Sequence, residues 1–162
     1  MYRRILVTLD GSTLARTALA HAAKLASGSS TEVRLLAVTD TPAQTRREAE
    51  EQFELTDGDS ARIDALGQEL HFNRRHRALD ELARAEQELR TAGVATVQGE
   101  VVEGLAGNEI VNFATAQQCD AIVMATRGHG GLGREVLGSV AEYVLRHAGD
   151  VAVVLVGPRA SS

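Results

Sequence analysis

Residues 5–12 read I-L-V-T-L-D-G-S, and this stretch indicates how the chain begins to fold. The apolar run Ile5–Leu9 is ended by Asp10 and Gly11, which is typical of a strand buried on both faces. Ser12 is a favoured helix N-cap residue, and the apolar residues after it recur at spacings of three and four. The stretch therefore predicts a βα unit, made of a buried strand, a tight turn and a helix.

The same alternation continues along the chain and predicts four further strands. Helical periodicity lies between most of them, and strands that are apolar throughout favour a parallel sheet covered by helices on both faces. The predicted fold class is therefore α/β: a three-layer α/β/α sandwich around a five-stranded parallel sheet, with a Rossmann-like arrangement. The four further strands are expected at Val33–Val38, Ala95–Val102, Ala121–Ala125 and Val151–Val156.

One region, residues 40–61, breaks this rhythm. It carries Pro42 and a concentration of acidic side chains, and we expect a variable, exposed and mobile insertion there. The helical pattern over residues 62–91 is interrupted near residues 71–77, which allows two helical segments. The chain is expected to form a single domain over residues 1–158, with residues 159–162 as a frayed tail.

Composition and charge narrow the class of function. The 162 residues carry a net charge of −5, whereas a surface that binds duplex nucleic acid is usually strongly basic, so nucleic acid is not an expected partner. Cys119 is the only cysteine, which excludes an intrachain disulfide, and we expect it to be a small buried residue. The sequence shows neither a secretory signal nor a membrane-spanning apolar stretch, so a cytoplasmic location without membrane association is expected.

The segment from Ala125 to Ser139 is the strongest candidate for a binding site. Open parallel sheets bind ligands beyond the carboxyl ends of their strands, and this segment follows a strand and leads into a helix. Its glycines allow backbone N–H groups to approach an anion closely, and the start of a helix adds unpaired N–H groups and a favourable dipole. A phosphate group is therefore the expected ligand.

Two familiar phosphate motifs fit this segment poorly. Gly128, Gly130 and Gly133 match G-x-G-x-x-G, but they lie in the last βα unit, whereas a dinucleotide fingerprint opens the first and has an acidic residue at the end of the next strand. Here Asp150 precedes the next strand. A Walker A loop ends in Gly-Lys-Ser/Thr, which the Gly-Arg-Glu run at 133–135 does not supply.

The segment from Met124 to Val140, M-A-T-R-G-H-G-G-L-G-R-E-V-L-G-S-V, closely resembles the nucleotide loop of the universal stress protein family. That loop has the pattern Gly, two residues, Gly, nine residues, Gly and Ser or Thr, and Gly128, Gly138 and Ser139 match its last three positions. The stretches I-L-V-T-L-D-G-S at 5–12, L-L-A-V-T-D at 35–40 and E-Y-V-L-R-H-A at 142–148 are similar to other parts of the same family.

This resemblance implies a fold of the adenine nucleotide alpha hydrolase type, a homodimer through the last strand, and ATP binding with Mg²⁺ at the phosphates. It places one group of residues at the adenosine, with Val38 meeting the adenine through its backbone: Thr8, Leu9, Asp10 and Val38. A second group would border the sugar and phosphates: Met124, Ala125 and Arg127. A third group would hold the phosphates: Gly128, Gly138, Ser139 and Val140.

Ala125 departs from the family pattern, which has glycine at this position. If its φ is positive, the added Cβ costs about 1 kcal/mol or more and weakens ATP binding. Asp10 and Ser139 also have simpler roles open to them, Asp10 in the turn before the first helix and Ser139 as a helix cap.

The expected function is ATP binding in a stress-response sensor or signalling module without efficient turnover, since no catalytic constellation stands out in the segments after the first, second and fourth strands, residues 8–12, 38–40 and 125–139. One alternative is a dimeric interaction module of the same fold that has lost nucleotide binding. Another is a weak ATP hydrolase or a nucleotidyl-transferring enzyme.

Overall fold

The structure, a computed structural model, describes residues 1–126 and 137–158. Within these residues five parallel strands form one sheet, in the order β3-β2-β1-β4-β5. This confirms the predicted α/β fold with a five-stranded parallel sheet. The strands are β1 (Arg4–Leu9), β2 (Glu32–Thr39), β3 (Thr96–Glu103), β4 (Ala121–Ala125) and β5 (Ala152–Val156).

Helices connect the strands and cover both faces of the sheet. They are α1 (Thr13–Ala26), α2 (Pro42–Gln52), α3 (Ser60–Thr91), α4 (Ala106–Ala116) and α5 (Ser139–His147), with a single 3-10 turn at Asp57–Asp59 before α3. Because α1 and α3 lie on one face and α4 and α5 on the other, the molecule has the three layers that the sequence predicts.

The position of β1 in the sheet explains why most of its residues are apolar. Ile5, Val7 and Leu9 pack in the core shared with α1 and α3, while Leu6 packs in the core shared with α4 and α5. All four side chains are buried, because β1 is the central strand and is covered on both faces. Its position between β2 and β4 also brings the loops after these three strands to one edge of the sheet.

The segment at residues 40–61 contains more structure than the expected mobile insertion. Helix α2 begins with a capping box, in which the Thr41 hydroxyl accepts the Gln44 N–H and the Gln44 side chain accepts the Thr41 N–H, with Pro42 in the first turn. Thr45 and Ala49 are fully buried. The capping signal was present in the sequence, but most of α2 is polar, and only its packing on α3 shows which side is buried.

Helix α3 is one continuous helix of 32 residues, although the sequence allows two segments. Polar contacts support the stretch where its apolar periodicity fails. The His71 ring lies 3.2 Å from the Asp40 carbonyl and 3.2 Å from the Glu103 carboxylate. Arg74 pairs with Asp40 and, at 2.7 Å, with Glu48. Polar contacts to residues at the ends of β2 and β3 therefore take the place of apolar contacts along this part of the helix.

Gly67 sets the distance between α2 and α3, and its substitution is expected to destabilise the protein. A Cβ atom at this position would lie 2.8 Å from the Cα atom of Arg46. Gly67→Ala should lower the free energy of unfolding by about 1–3 kcal/mol, because this overlap with backbone outweighs the gain of about 1 kcal/mol in helix propensity. Urea denaturation measures the difference.

The exposed neighbour Gln68 provides the control for this prediction. Gln68→Ala should change the free energy of unfolding by no more than about 0.5 kcal/mol. A Gly67→Ala protein as stable as the original would contradict the close approach of the two helices.

Cys119 is buried at the end of α4, in the core with α5, as the sequence indicates. Burial raises the pKa of its thiol to about 11. In the part of the chain that the structure describes, helices long enough to span a bilayer lack the necessary apolar character.

Candidate functional site

The carboxyl ends of β1, β2 and β4 meet at one edge of the sheet. Strand β1 runs between the other two, and its connection crosses to one face while the connection after β4 crosses to the other. Such a change of direction opens a crevice, which is the usual place for a ligand in a parallel α/β sheet. The predicted positions Thr8, Leu9, Val38, Met124 and Ala125 all lie in the last residues of these strands.

The turn after β1 is held by side-chain hydrogen bonds. Gly11 adopts a positive φ of 79°. The Asp10 Oδ1 atom accepts the Ser12 N–H at 2.9 Å, and Ser12 caps α1 by accepting the Ala15 N–H at 3.1 Å. Asp10 is nevertheless exposed. The Asp10 carboxylate therefore stabilises the turn before α1, as considered from the sequence, and it still faces solvent at the strand end.

A pocket of about 600 Å³ opens beside this turn, between the ends of β1 and β2 and the flank of α3. Leu9, Ala37 and Ala78 supply its apolar surface, and Asp10 and Val38 contribute from the strand ends. Its size and its mixture of apolar surface and charge suit a small organic ligand.

The wall contributed by α3 was missed by sequence reasoning. The residues of α3 that line the pocket are Arg74, Arg77, Glu81 and Arg84. Their spacing of three and four residues puts them on one side of the helix, and this was the only signal available.

Glu81 makes the most specific contact of this wall. Its Oε1 atom accepts the Gly11 N–H at 3.1 Å, which joins α3 to the turn after β1. Partial burial raises the pKa of the Glu81 carboxyl, with a further contribution from the negative charge of Asp10, while the Gly11 hydrogen bond acts in the opposite direction. Two carboxylates from distant parts of the sequence therefore share one end of the pocket.

The start of α5 faces the same edge of the sheet. The Gly138 N–H donates to the Thr126 carbonyl at 2.7 Å, which ties the beginning of the helix to the end of β4. Gly138 is the N-cap and its carbonyl accepts the Glu142 N–H at 2.9 Å, so Ser139 is the first residue of the helix and does not have the predicted capping role. The N–H groups of Ser139, Val140 and Ala141 have no acceptor among the described residues.

Ala125 causes no backbone strain. It is the last residue of β4, is buried and pairs with Val156 of β5. Its φ is not in the left-handed region, so the cost considered for an alanine at this position does not arise. Any effect of Ala125 on a ligand must come from the volume of its methyl group.

Two predicted positions, Arg127 and Gly128, lie outside the described residues. The other nine lie either at the carboxyl ends of β1, β2 and β4 or at the start of α5. Among residues 1–126 and 137–158, side chains of His, Cys, Asp and Glu form no group of three suited to a metal ion.

Comparison with known proteins shows which family the chain resembles in sequence. The model of the universal stress protein family matches residues 1–156. The universal stress protein MJ0531 of Methanocaldococcus jannaschii is 34% identical over 159 residues, which cover 98% of this chain and 85% of that protein.

Solved structures share the fold. The structure of protein MJ0577, from the same organism, is 28% identical, covers 99% of both chains and has a TM-score of 0.79. A universal stress protein from Archaeoglobus fulgidus in complex with dAMP has a TM-score of 0.60 at 20% identity, over 96% of this chain and 98% of that one. The chain belongs to the universal stress protein family.

Proposed function

We propose that this protein binds ATP across the carboxyl ends of β1, β2 and β4, and that it acts as a cytoplasmic, homodimeric sensor or signalling module. One observation carries the proposal. The start of α5, whose first amides have no acceptor among the described residues, is tied to the end of β4, on the same sheet edge as Asp10 and the pocket of about 600 Å³. Amide donors suited to an anion and a pocket suited to a nucleoside therefore lie at the same edge of the sheet, which supports the proposal.

The phosphate end is formed by the first turn of α5. Three successive amides, from Ser139 to Ala141, lack acceptors in the described part of the chain, and the helix dipole adds positive potential at this point. The Ser139 hydroxyl is exposed and supplies a further donor. Amides at a helix start bind phosphate in many nucleotide sites. Mg²⁺ would be held through the phosphates themselves.

The adenosine end is formed by β1, β2 and the pocket beside them. The Thr39 carbonyl accepts the Gly104 N–H at 3.0 Å on the β3 side, and successive residues of a strand direct their backbone groups to opposite sides. The Val38 carbonyl therefore faces the β1 side, where the ladder ends at the Leu9–Ala37 pair. This carbonyl can accept a hydrogen bond from the amino group of adenine.

A relative of the same fold supports an adenine nucleotide as the ligand class. The Archaeoglobus fulgidus protein was solved with dAMP bound. Its nucleotide has one phosphate, so the choice of ATP for this chain rests on the donors at the start of α5.

Identification of co-purified nucleotide tests the proposal. Freshly purified protein is denatured, the released small molecules are separated, and the stripped protein is titrated with Mg·ATP and Mg·GTP by calorimetry. We expect released adenine nucleotide and tighter binding of ATP than of GTP. If the protein releases no nucleotide and binds no ATP, the alternative of an interaction module without nucleotide binding is favoured. If it releases phosphate over multiple turnovers, the alternative of a weak ATP hydrolase is favoured.

The second copy in the proposed homodimer would cover β5. This edge strand consists of five apolar residues and pairs with β4 on one side, while Val153, Val154 and Leu155 remain partly exposed. An apolar edge of this kind needs a cover. Light scattering should give the mass of a dimer at micromolar concentration, and Val154→Lys should shift it to that of a monomer. A monomer for the unaltered chain would refute this arrangement.

A further inference from the structure

Two carboxylates accept hydrogen bonds from the same turn. Glu81 of α3 accepts the Gly11 N–H at 3.1 Å, and Asp10 accepts the next amide along the chain, that of Ser12, at 2.9 Å. Consecutive amides fix both carboxyl groups at the same end of the pocket, although the two acids are 71 positions apart in the sequence. Each side chain is oriented by one hydrogen bond to a backbone amide of this turn.

Each carboxylate has one oxygen atom left for a ligand. The Glu81 Oε2 and Asp10 Oδ2 atoms have no hydrogen-bond donor within the part of the chain that the structure describes. Burial is the largest cause that raises the pKa of Glu81, and the charge of Asp10 adds to it, while the Gly11 hydrogen bond and the charges of Arg16 and Arg84 offset the rise only in part. A ligand that offers donors to both oxygen atoms would relieve this cost.

The chemistry of the pair selects the part of a nucleotide that fits. The pocket also carries Arg16, Arg74, Arg77 and Arg84, so its net charge does not select against phosphate. The free carboxylate oxygen atoms need hydrogen-bond donors, which an ionised phosphate does not supply. The first amides of α5, which have no acceptor among the described residues, are donors and suit the phosphate better. The adenine amino group is matched by the Val38 carbonyl at the end of β2. A vicinal diol offers two adjacent O–H donors, one for each of the two free oxygen atoms.

We propose that Glu81, together with Asp10, binds the 2′- and 3′-hydroxyl groups of the ribose and makes the site selective for ribonucleotides over 2′-deoxyribonucleotides. The inference rests on the proposed function and deepens it. Glu81 is a specificity-determining residue, and α3 is the element that supplies it.

The test compares ATP with 2′-deoxy-ATP by calorimetry. The unaltered protein should bind ATP about tenfold more tightly, as one hydrogen bond to a charged group contributes at least that factor. Glu81→Gln keeps an oxygen acceptor for the Gly11 N–H and removes the charge. It should weaken ATP binding, leave 2′-deoxy-ATP binding nearly unchanged, and reduce the preference to about twofold or less.

Glu86 of the same helix provides a matched control. It too accepts a glycine amide, the Gly99 N–H at 2.9 Å, but it does not line the pocket. Glu86→Gln should leave the preference between the two nucleotides unchanged.

Four outcomes overturn the assignment. Equal binding of ATP and 2′-deoxy-ATP by the unaltered protein refutes it without any variant. If Glu81→Gln keeps the full preference for ATP over 2′-deoxy-ATP, Glu81 does not bind the ribose hydroxyl groups. The same conclusion follows if the substitution changes the ratio of ATP to GTP affinity instead. If the unaltered protein binds neither ATP nor its deoxy form, the proposed function fails as well.

Discussion

Ser139→Pro is expected to lower the affinity for ATP about a hundredfold while leaving the fold intact. Ser139 is the first residue of α5, a position where proline is well tolerated because its missing N–H has no intrahelical partner. Gly138 already has φ −66° and ψ 149°, the extended conformation that a residue before proline prefers. The substitution therefore removes one amide donor and one hydroxyl donor without bending the helix.

The magnitude follows from the charge of the phosphates. A hydrogen bond to a charged group contributes about 1.5–3 kcal/mol, and a change of about 1.4 kcal/mol alters affinity tenfold. Ser139→Ala removes the hydroxyl alone and should cost about tenfold, and the proline variant should cost about tenfold more. Calorimetry with ATP gives both values, and the melting temperature checks the fold.

Adenosine is the internal control in this experiment. Since adenosine has no phosphate, its affinity should be the same for the unaltered protein, Ser139→Ala and Ser139→Pro. If Ser139→Pro binds ATP as the unaltered protein does, the phosphates lie elsewhere. An equal loss for adenosine would instead indicate damage to the sheet edge.

The sheet was predictable from sequence because burial on both faces leaves a clear pattern. Ile5–Leu9 is apolar at almost every position, and the structure places it as the central strand. Helix boundaries were less predictable where tertiary contacts decide them. His71 and Arg74 interrupt the apolar periodicity of α3, yet their contacts with Asp40 keep the helix continuous.

The candidate site likewise contains residues that the sequence could identify and residues that it could not. Asp10 and Val38 could be found from sequence because parallel strands bring their carboxyl ends to one edge. Glu81 could not, because its contact with Gly11 depends on how a long helix crosses the sheet 70 positions later in the chain. Ser139 shows a third case, in which the residue type suited a cap but the extended backbone belongs to Gly138.

Asp10→Ala is expected to lower the affinity for both ATP and adenosine by about tenfold to a hundredfold, because the proposed contact is with the nucleoside. It also removes the acceptor of the Ser12 N–H, which by itself should cost about 0.5–1.5 kcal/mol of stability. A loss of binding in this variant alone would leave open whether the ligand contact or the turn was responsible.

Asp10→Asn separates these two roles. The asparagine side chain keeps an Oδ1 acceptor for the Ser12 N–H, which lies 2.9 Å from the aspartate oxygen, but it lacks the charge. If Asp10 contacts the nucleoside, Asp10→Asn should bind ATP and adenosine nearly as weakly as Asp10→Ala while retaining the melting temperature of the unaltered protein. If Asp10 serves the turn alone, Asp10→Asn should keep both the stability and the affinity. Calorimetry and thermal denaturation of the two variants, read together, therefore assign the carboxylate to the ligand or to the turn.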